Sequence, residues 1–251
     1  ADESPDTGNF AIWSPIAKGA NATLSNGNLS ISDHTASDST MCTASMASGK
    51  WYMEAIVTYS QDFLFSLTSA SNYLPNLYTT SNSYTMYVDT GITYIKKVSN
   101  GSASDTNLTK PTSGSDTLQI AYDADAGKVW FGKNNTWADS GNPSAGSGEQ
   151  YSSIVGPMVF AWRGASTSSA SSIAAKFGQT AFVYTPPTGF KKLNTSNLTA
   201  PTVTKSSNNF LPITYEGNGA VQRVGNFVPF TDSQSVGNSI RVDKAGPDYL
   251  A

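Results

Sequence analysis

The sequence predicts an all-β fold, an antiparallel sandwich or barrel, on three observations. From Trp51 to Phe190 the chain alternates short apolar runs with clusters of Gly, Asn, Asp and Ser, and few runs are long or periodic enough for a helix. Residues 118–137 write out a hairpin: Leu118, Ile120 and Tyr122 share one face, an Asp/Gly turn spans Asp123–Gly127, and the return strand sets Val129 and Phe131 against Trp130. Charged residues make up only 13% of the 251, so hydroxyls and amides solvate the surface, as in many extracellular β-proteins.

In chain order, residues 1–8 are polar and aperiodic and read as an arm or linker, after which Phe10, Ile12 and Trp13 supply apolar area that can dock. Asn26-Gly27 between Leu24 and Leu29 is a hairpin turn, and Thr40–Ala44 is a strand. Further strands are expected at Tyr52–Tyr59, Phe63–Thr68, Thr85–Val88, Thr93–Lys97, Thr117–Tyr122, Lys128–Phe131, Met158–Trp162, Ile173–Lys176 and Phe182–Tyr184. Ser99–Asp105 and Gly141–Gly148 read as surface loops. Residues 9–198 form the expected sandwich and 199–251 an extended tail, with a hairpin around Gly217-Asn218-Gly219. The absence of an initiator methionine suits a trimmed product or a segment of a longer polypeptide.

Three motifs in order, Gly49-Lys50-Trp51-Tyr52-Met53-Glu54, Asp123 to Trp137, and Lys176-Phe177-Gly178-Gln179-Thr180-Ala181-Phe182 with Thr185-Pro186-Pro187-Thr188-Gly189-Phe190, resemble the SPRY domain. The resemblance is nearest to SPRY modules in virion proteins of tailed bacteriophages, and it covers residues 9–198. Leu24-Ser25-Asn26-Gly27-Asn28-Leu29 matches a recurrent segment of those modules, and Asn238 to Leu250 resembles the start of a laminin-G-like domain. The resemblance implies a concanavalin A-like jelly-roll β-sandwich that binds partners through loops at one end and performs no chemistry. It also implies that the segment Val159 to Gly164 leads to the ligand-facing end, with Trp162 in the place of a tryptophan that contacts peptides in some members. Here Arg163 intervenes before Gly164, a departure that weakens the carry-over.

The residues themselves offer little catalytic equipment. His34 is the sole histidine and reads as a solvated loop residue, and Cys42 is the sole cysteine, read as a buried inert thiol. Asp123-Ala124-Asp125-Ala126-Gly127 opens like a calcium loop but lacks the downstream bidentate glutamate, so it reads as a structural turn. Glu54, Glu149 and Glu216 stand isolated, without the paired carboxylates of a glycosidase. No metal and no cofactor is expected. A net charge of −3 with a pI near 5.0 gives no basic footprint for nucleic acid, and no apolar run reaches the roughly 18 residues of a membrane span.

Binding is better served. Tyr73 to Tyr78, with Tyr84 and Tyr87 nearby, is rich in aromatic and Asn side chains, which make stiff amphipathic contacts. The candidate ligand-binding residues are Trp162, Arg163, Tyr73 and Tyr78. The expected function is a non-catalytic adhesion module on a phage virion surface or in the extracellular space, recognising a host surface glycan or protein. Other virion subunits are expected partners, in a homo-oligomer. The alternatives are a structural spacer joined through the C-terminal segment and a secreted carbohydrate-active enzyme.

Overall fold

The computed structural model describes residues 8–33, 39–59, 61–165, 171–197, 213–216 and 220–223. The chain divides into two compact units, Ala1–Leu198 and Thr199–Ala251.

The first unit is two antiparallel sheets face to face. One has seven strands in the order β1 (Trp13–Lys18), β4 (Ser39–Cys42), β13 (Met158–Gly164), β6 (Phe63–Ser69), β7 (Ser83–Val88), β8 (Tyr94–Ser99), β9 (Ser102–Thr109). The other follows β12 (Thr136–Trp137), β11 (Lys128–Lys133), β10 (Thr117–Asp123), β5 (Lys50–Tyr59), β14 (Ser171–Lys176), β3 (Ser30–Asp33), β2 (Thr23–Ser25). A two-residue strand, β15 (Lys191–Lys192), runs parallel to β5 at Trp51 and Tyr52, just beyond the reach of β14. In the second unit, β16 (Ile213–Glu216) and β17 (Ala220–Arg223) pair antiparallel. His34 and the segment Asn238 to Leu250 lie outside the described residues. Among the described residues no helix is long and apolar enough to cross a membrane.

Strand alternation fills the space between the sheets. Phe63, Phe65, Phe160 and Trp162 enter from the seven-stranded sheet, and Met53, Val57, Ile120, Phe131 and Phe177 from the other. Trp13 meets Phe177 edge to face at 5.4 Å. Cys42 is buried, and burial pushes its thiol pKa up to about 11, which leaves it protonated and unreactive at neutral pH.

Central strands are buried on their outer faces as well. Outside the eight-stranded sheet, Tyr52, Ala121, Trp130 and Phe190 form a second apolar cluster against Phe182 and Trp137. Glu54, fully buried, accepts from the Tyr52 hydroxyl at 2.8 Å and from the N–H groups of Val183 and Tyr184 at 2.6 and 2.9 Å. That carboxylate accounts for Phe182–Tyr184, which is not the expected strand: its backbone donors are taken by a side chain in place of a neighbouring strand.

A second correction concerns Ser99–Asp105. Asn100 and Gly101, with φ of 49° and 79°, make a two-residue turn, and Ser102 onward is strand β9. The Asp123–Gly127 turn is structural: Asp123 caps the Ala126 N–H at 3.0 Å and meets Lys50 at 3.1 Å, while Asp125 accepts from the Gly49 N–H at 2.9 Å. Gly127 is required there, because its φ is 62° and a Cβ would lie 2.5 Å from the Ile154 carbonyl oxygen.

Candidate functional site

The outer face of the seven-stranded sheet carries the residues with the best means of recognition. Cross-strand register fixes its rows. Arg163 pairs with Leu64, Leu64 with Tyr87, Tyr87 with Lys96 and Lys96 with Asp105, so five strands place these side chains in line on one face. Further along, Ser66 meets Thr85 and Thr68 meets Ser83, each hydroxyl pair at 2.7 Å and fully buried. Hydroxyls on an outer face are buried only when something lies over them.

The cover is the segment between β6 and β7, residues 70–82. Leu77, fully buried, is its plug, and its carbonyl accepts from the Thr85 hydroxyl at 2.9 Å. Asn72 donates to the Thr68 hydroxyl and to the Ser81 carbonyl, both at 3.1 Å. Asn76 accepts from the Tyr78 N–H through its side chain and from the Thr79 and Thr80 N–H groups through its carbonyl. The Tyr78 carbonyl accepts from the Gly101 N–H at 2.8 Å. So tied, the segment presents Tyr73 72% exposed, directly before Leu74, whose φ of 44° is uncommon for a branched apolar residue.

Tyr78 bridges segment and sheet. Its ring packs edge to face on Tyr87 at 5.6 Å, and the Tyr87 hydroxyl donates to Asp89 at 2.6 Å. Burial raises the Tyr87 pKa, and the adjacent Asp89 carboxylate raises it further. Asp89 titrates lower than an ordinary aspartate because of the Tyr87 hydroxyl and then the Gly91 N–H, so the pair is a neutral donor on a charged acceptor at neutral pH. Lys96 is held protonated by its 2.9 Å bond to Asp105. The face therefore mixes fixed aromatic edges with fixed charges of both signs.

No family model and no curated protein matches this sequence. Solved structures do. The SPRY domain of human HERC1 superposes with a TM-score of 0.52 at 13% identity, spanning 67% of this chain and 99% of that one. The PSpry domain of TRIM65 gives 0.52 at 12% identity, spanning 68% and 94%. The sandwich has the SPRY fold.

Within that SPRY sandwich, the four sequence-proposed ligand residues separate. Trp162 is corrected: it is fully buried, paired with Phe65 and on the same face as Phe160, so its ring fills the interior and touches no surface. Arg163, one residue on, falls on the outer face for the same reason of alternation and is half-buried. Tyr73 and Tyr78 lie on the covering segment, where Asn72, next to Tyr73, is anchored at Thr68 of β6, while Arg163 sits beside Leu64 of the same strand. Leu64 and Thr68 are roughly 13 Å apart at the usual rise per residue, so Tyr73 is set off from Arg163 along the strands, whereas Tyr78 packs on Tyr87 in the row of Arg163. Sequence reasoning missed Tyr87, Asp89 and Lys96 as a set. The signal was present in the alternation of Ser83–Val88, in which Tyr87 has the opposite parity to Met86 and Val88.

Two readings of chemistry find no support among the described residues. No group of three or more His, Cys, Asp or Glu could hold a metal. Glu54 is closed off from solvent, and Glu149 is engaged with Lys128 at 3.2 Å.

Proposed function

We propose that this chain is a non-catalytic recognition module that binds a protein or glycan on a cell surface through the outer face of its seven-stranded sheet. The carrying observation is the covering segment 70–82. It is tied down by at least six hydrogen-bonded groups, yet leaves one large ring, Tyr73, in solvent on the same segment as the half-buried Tyr78. A ring carried on a backbone that is already fixed has only its own side-chain freedom to lose on binding, and an aromatic side chain has little of it, which suits an affinity anchor. Arg163 and Lys96 give the face positive charge, Lys96 next to the Asp105 carboxylate.

The ordered motifs that resemble phage SPRY modules, and the hydroxyl- and amide-rich composition, support placing the module on a virion surface, where the ligand is a host glycan or envelope protein. Host-cell adsorption and thermal melting, measured together, test the reading. Tyr73→Ala is expected to weaken adsorption by about 2 kcal/mol, roughly thirtyfold, with the melting temperature unchanged because the ring is exposed. Unchanged adsorption by folded Tyr73→Ala and Tyr78→Ala proteins would reject this surface and favour a structural spacer.

A further inference from the structure

The two sheets have four edges, and three of them are blunted. β12 has two residues and β2 has three. β1 contains Pro15, its register with β4 slips, and the Ser14 hydroxyl accepts from the N–H groups of Ile16 and Ala17 at 3.3 and 2.9 Å. Each is a known device against strand addition. The fourth edge, β9, has eight residues, no proline and no lysine, and residues 102–105 are all exposed.

The free groups on β9 follow from its turn. A two-residue turn at Asn100-Gly101 makes Ser99 and Ser102 a mutually bonded pair, so Ser102 and Ser104 aim their backbone groups at β8 while Ala103 and Asp105 aim theirs outward. One further outward donor is already satisfied. The Asn107 N–H bonds the Asp139 carboxylate at 3.2 Å and the Asn107 side chain accepts from the Asp139 N–H at 2.8 Å, so residues 138–140 stop the edge where the strand becomes irregular.

We propose that this edge pairs antiparallel with β9 of a second copy of the chain, the two-fold axis passing through Ser104. In that register Ala103 and Asp105 of one copy exchange bonds with Asp105 and Ala103 of the other, and every outward group between the turn and Asp139 is used. Asn107 falls opposite Gly101 of the second copy, where that chain bends away into its turn, so the Asp139 stop and the partner's hairpin tip do not compete. Asp105 faces alanine instead of its own copy, and its charge is already held by Lys96 at 2.9 Å. Ser104 meets Ser104, repeating the hydroxyl pairing used within the sheets at Ser66–Thr85, Thr68–Ser83 and Thr58–Ser172. The result joins two seven-stranded sheets into one and leaves the Tyr73 segments free.

Sedimentation equilibrium of the whole chain should show a reversible dimer. Ala103→Pro removes one outward donor from each copy and should weaken dimerisation by about tenfold or more, with melting little changed because that N–H has no partner among the described residues. Ser104→Cys should give a disulfide-linked dimer on mild oxidation, while Ser81→Cys, exposed but away from the edge, should not; the native Cys42 is buried. A chain that stays monomeric, or a dimer that Ser104→Cys fails to trap, overturns the proposal.

Discussion

Replacing Trp162 by alanine would empty a site walled by Phe65 and Phe160 and is expected to cost about 3 to 5 kcal/mol of stability, read from denaturant unfolding. Affinity per folded molecule should not change, since the ring reaches no surface. Its indole N–H is buried without an acceptor, so Trp162→Phe should cost much less than the alanine variant. A finding that Trp162→Ala lowers binding but not stability would contradict the packing described. The sequence placed this tryptophan at a ligand site by resemblance alone. The alternation of Met158, Phe160 and Trp162 was sufficient to send it inward, and the same alternation sends Arg163 out.

Among the elements, the least legible were those whose outer faces are covered. Ser66, Thr68 and Thr85 are polar residues of expected strands, and Ser83 lies outside them; nothing local in the sequence shows that a fixed segment covers all four or that they bond one another in pairs. β9 escaped notice because its apolar content is low: backbone register, and not side-chain burial, holds it, although Asn100-Gly101 is the same turn signal that located β2 and β3. The strands of the central hairpin were legible because their large residues alternate between two apolar layers, Val129 and Phe131 inward and Trp130 outward. The segment 178–190 could not be read at all without Glu54. Replacing Glu54 by alanine leaves the Val183 and Tyr184 donors and the Tyr52 hydroxyl without that acceptor. It is expected to cost about 3 kcal/mol and to abolish hydrogen-exchange protection at the Val183 and Tyr184 amides. Retained protection there would mean that aromatic packing alone, Phe182 on Tyr52 at 4.9 Å, holds the segment.

For the whole molecule, acid should be the destabilising direction. Asp89 is held below the ordinary aspartate value by Tyr87 and Gly91. Asp116, although burial pushes its value up, is brought below it by the Thr112 N–H, the Asn134 amide and Lys133. Groups depressed in the folded state contribute stability above the unfolded value of 3.8 and lose it as pH falls through their folded values, so the melting temperature should drop below about pH 4. Asp116→Asn should flatten that drop, and an unaltered slope would assign the acid sensitivity elsewhere. The order of the strands has one more consequence, for synthesis. β5 joins β14 across a separation of 114 residues at Thr58 and Ser172, so one flank of the strand around which the eight-stranded sheet is organised waits for a partner that emerges much later. At ordinary rates of translation that interval is roughly 10 s, during which an apolar strand edge waits unpaired on the nascent chain, the kind of exposed edge that favours aggregation.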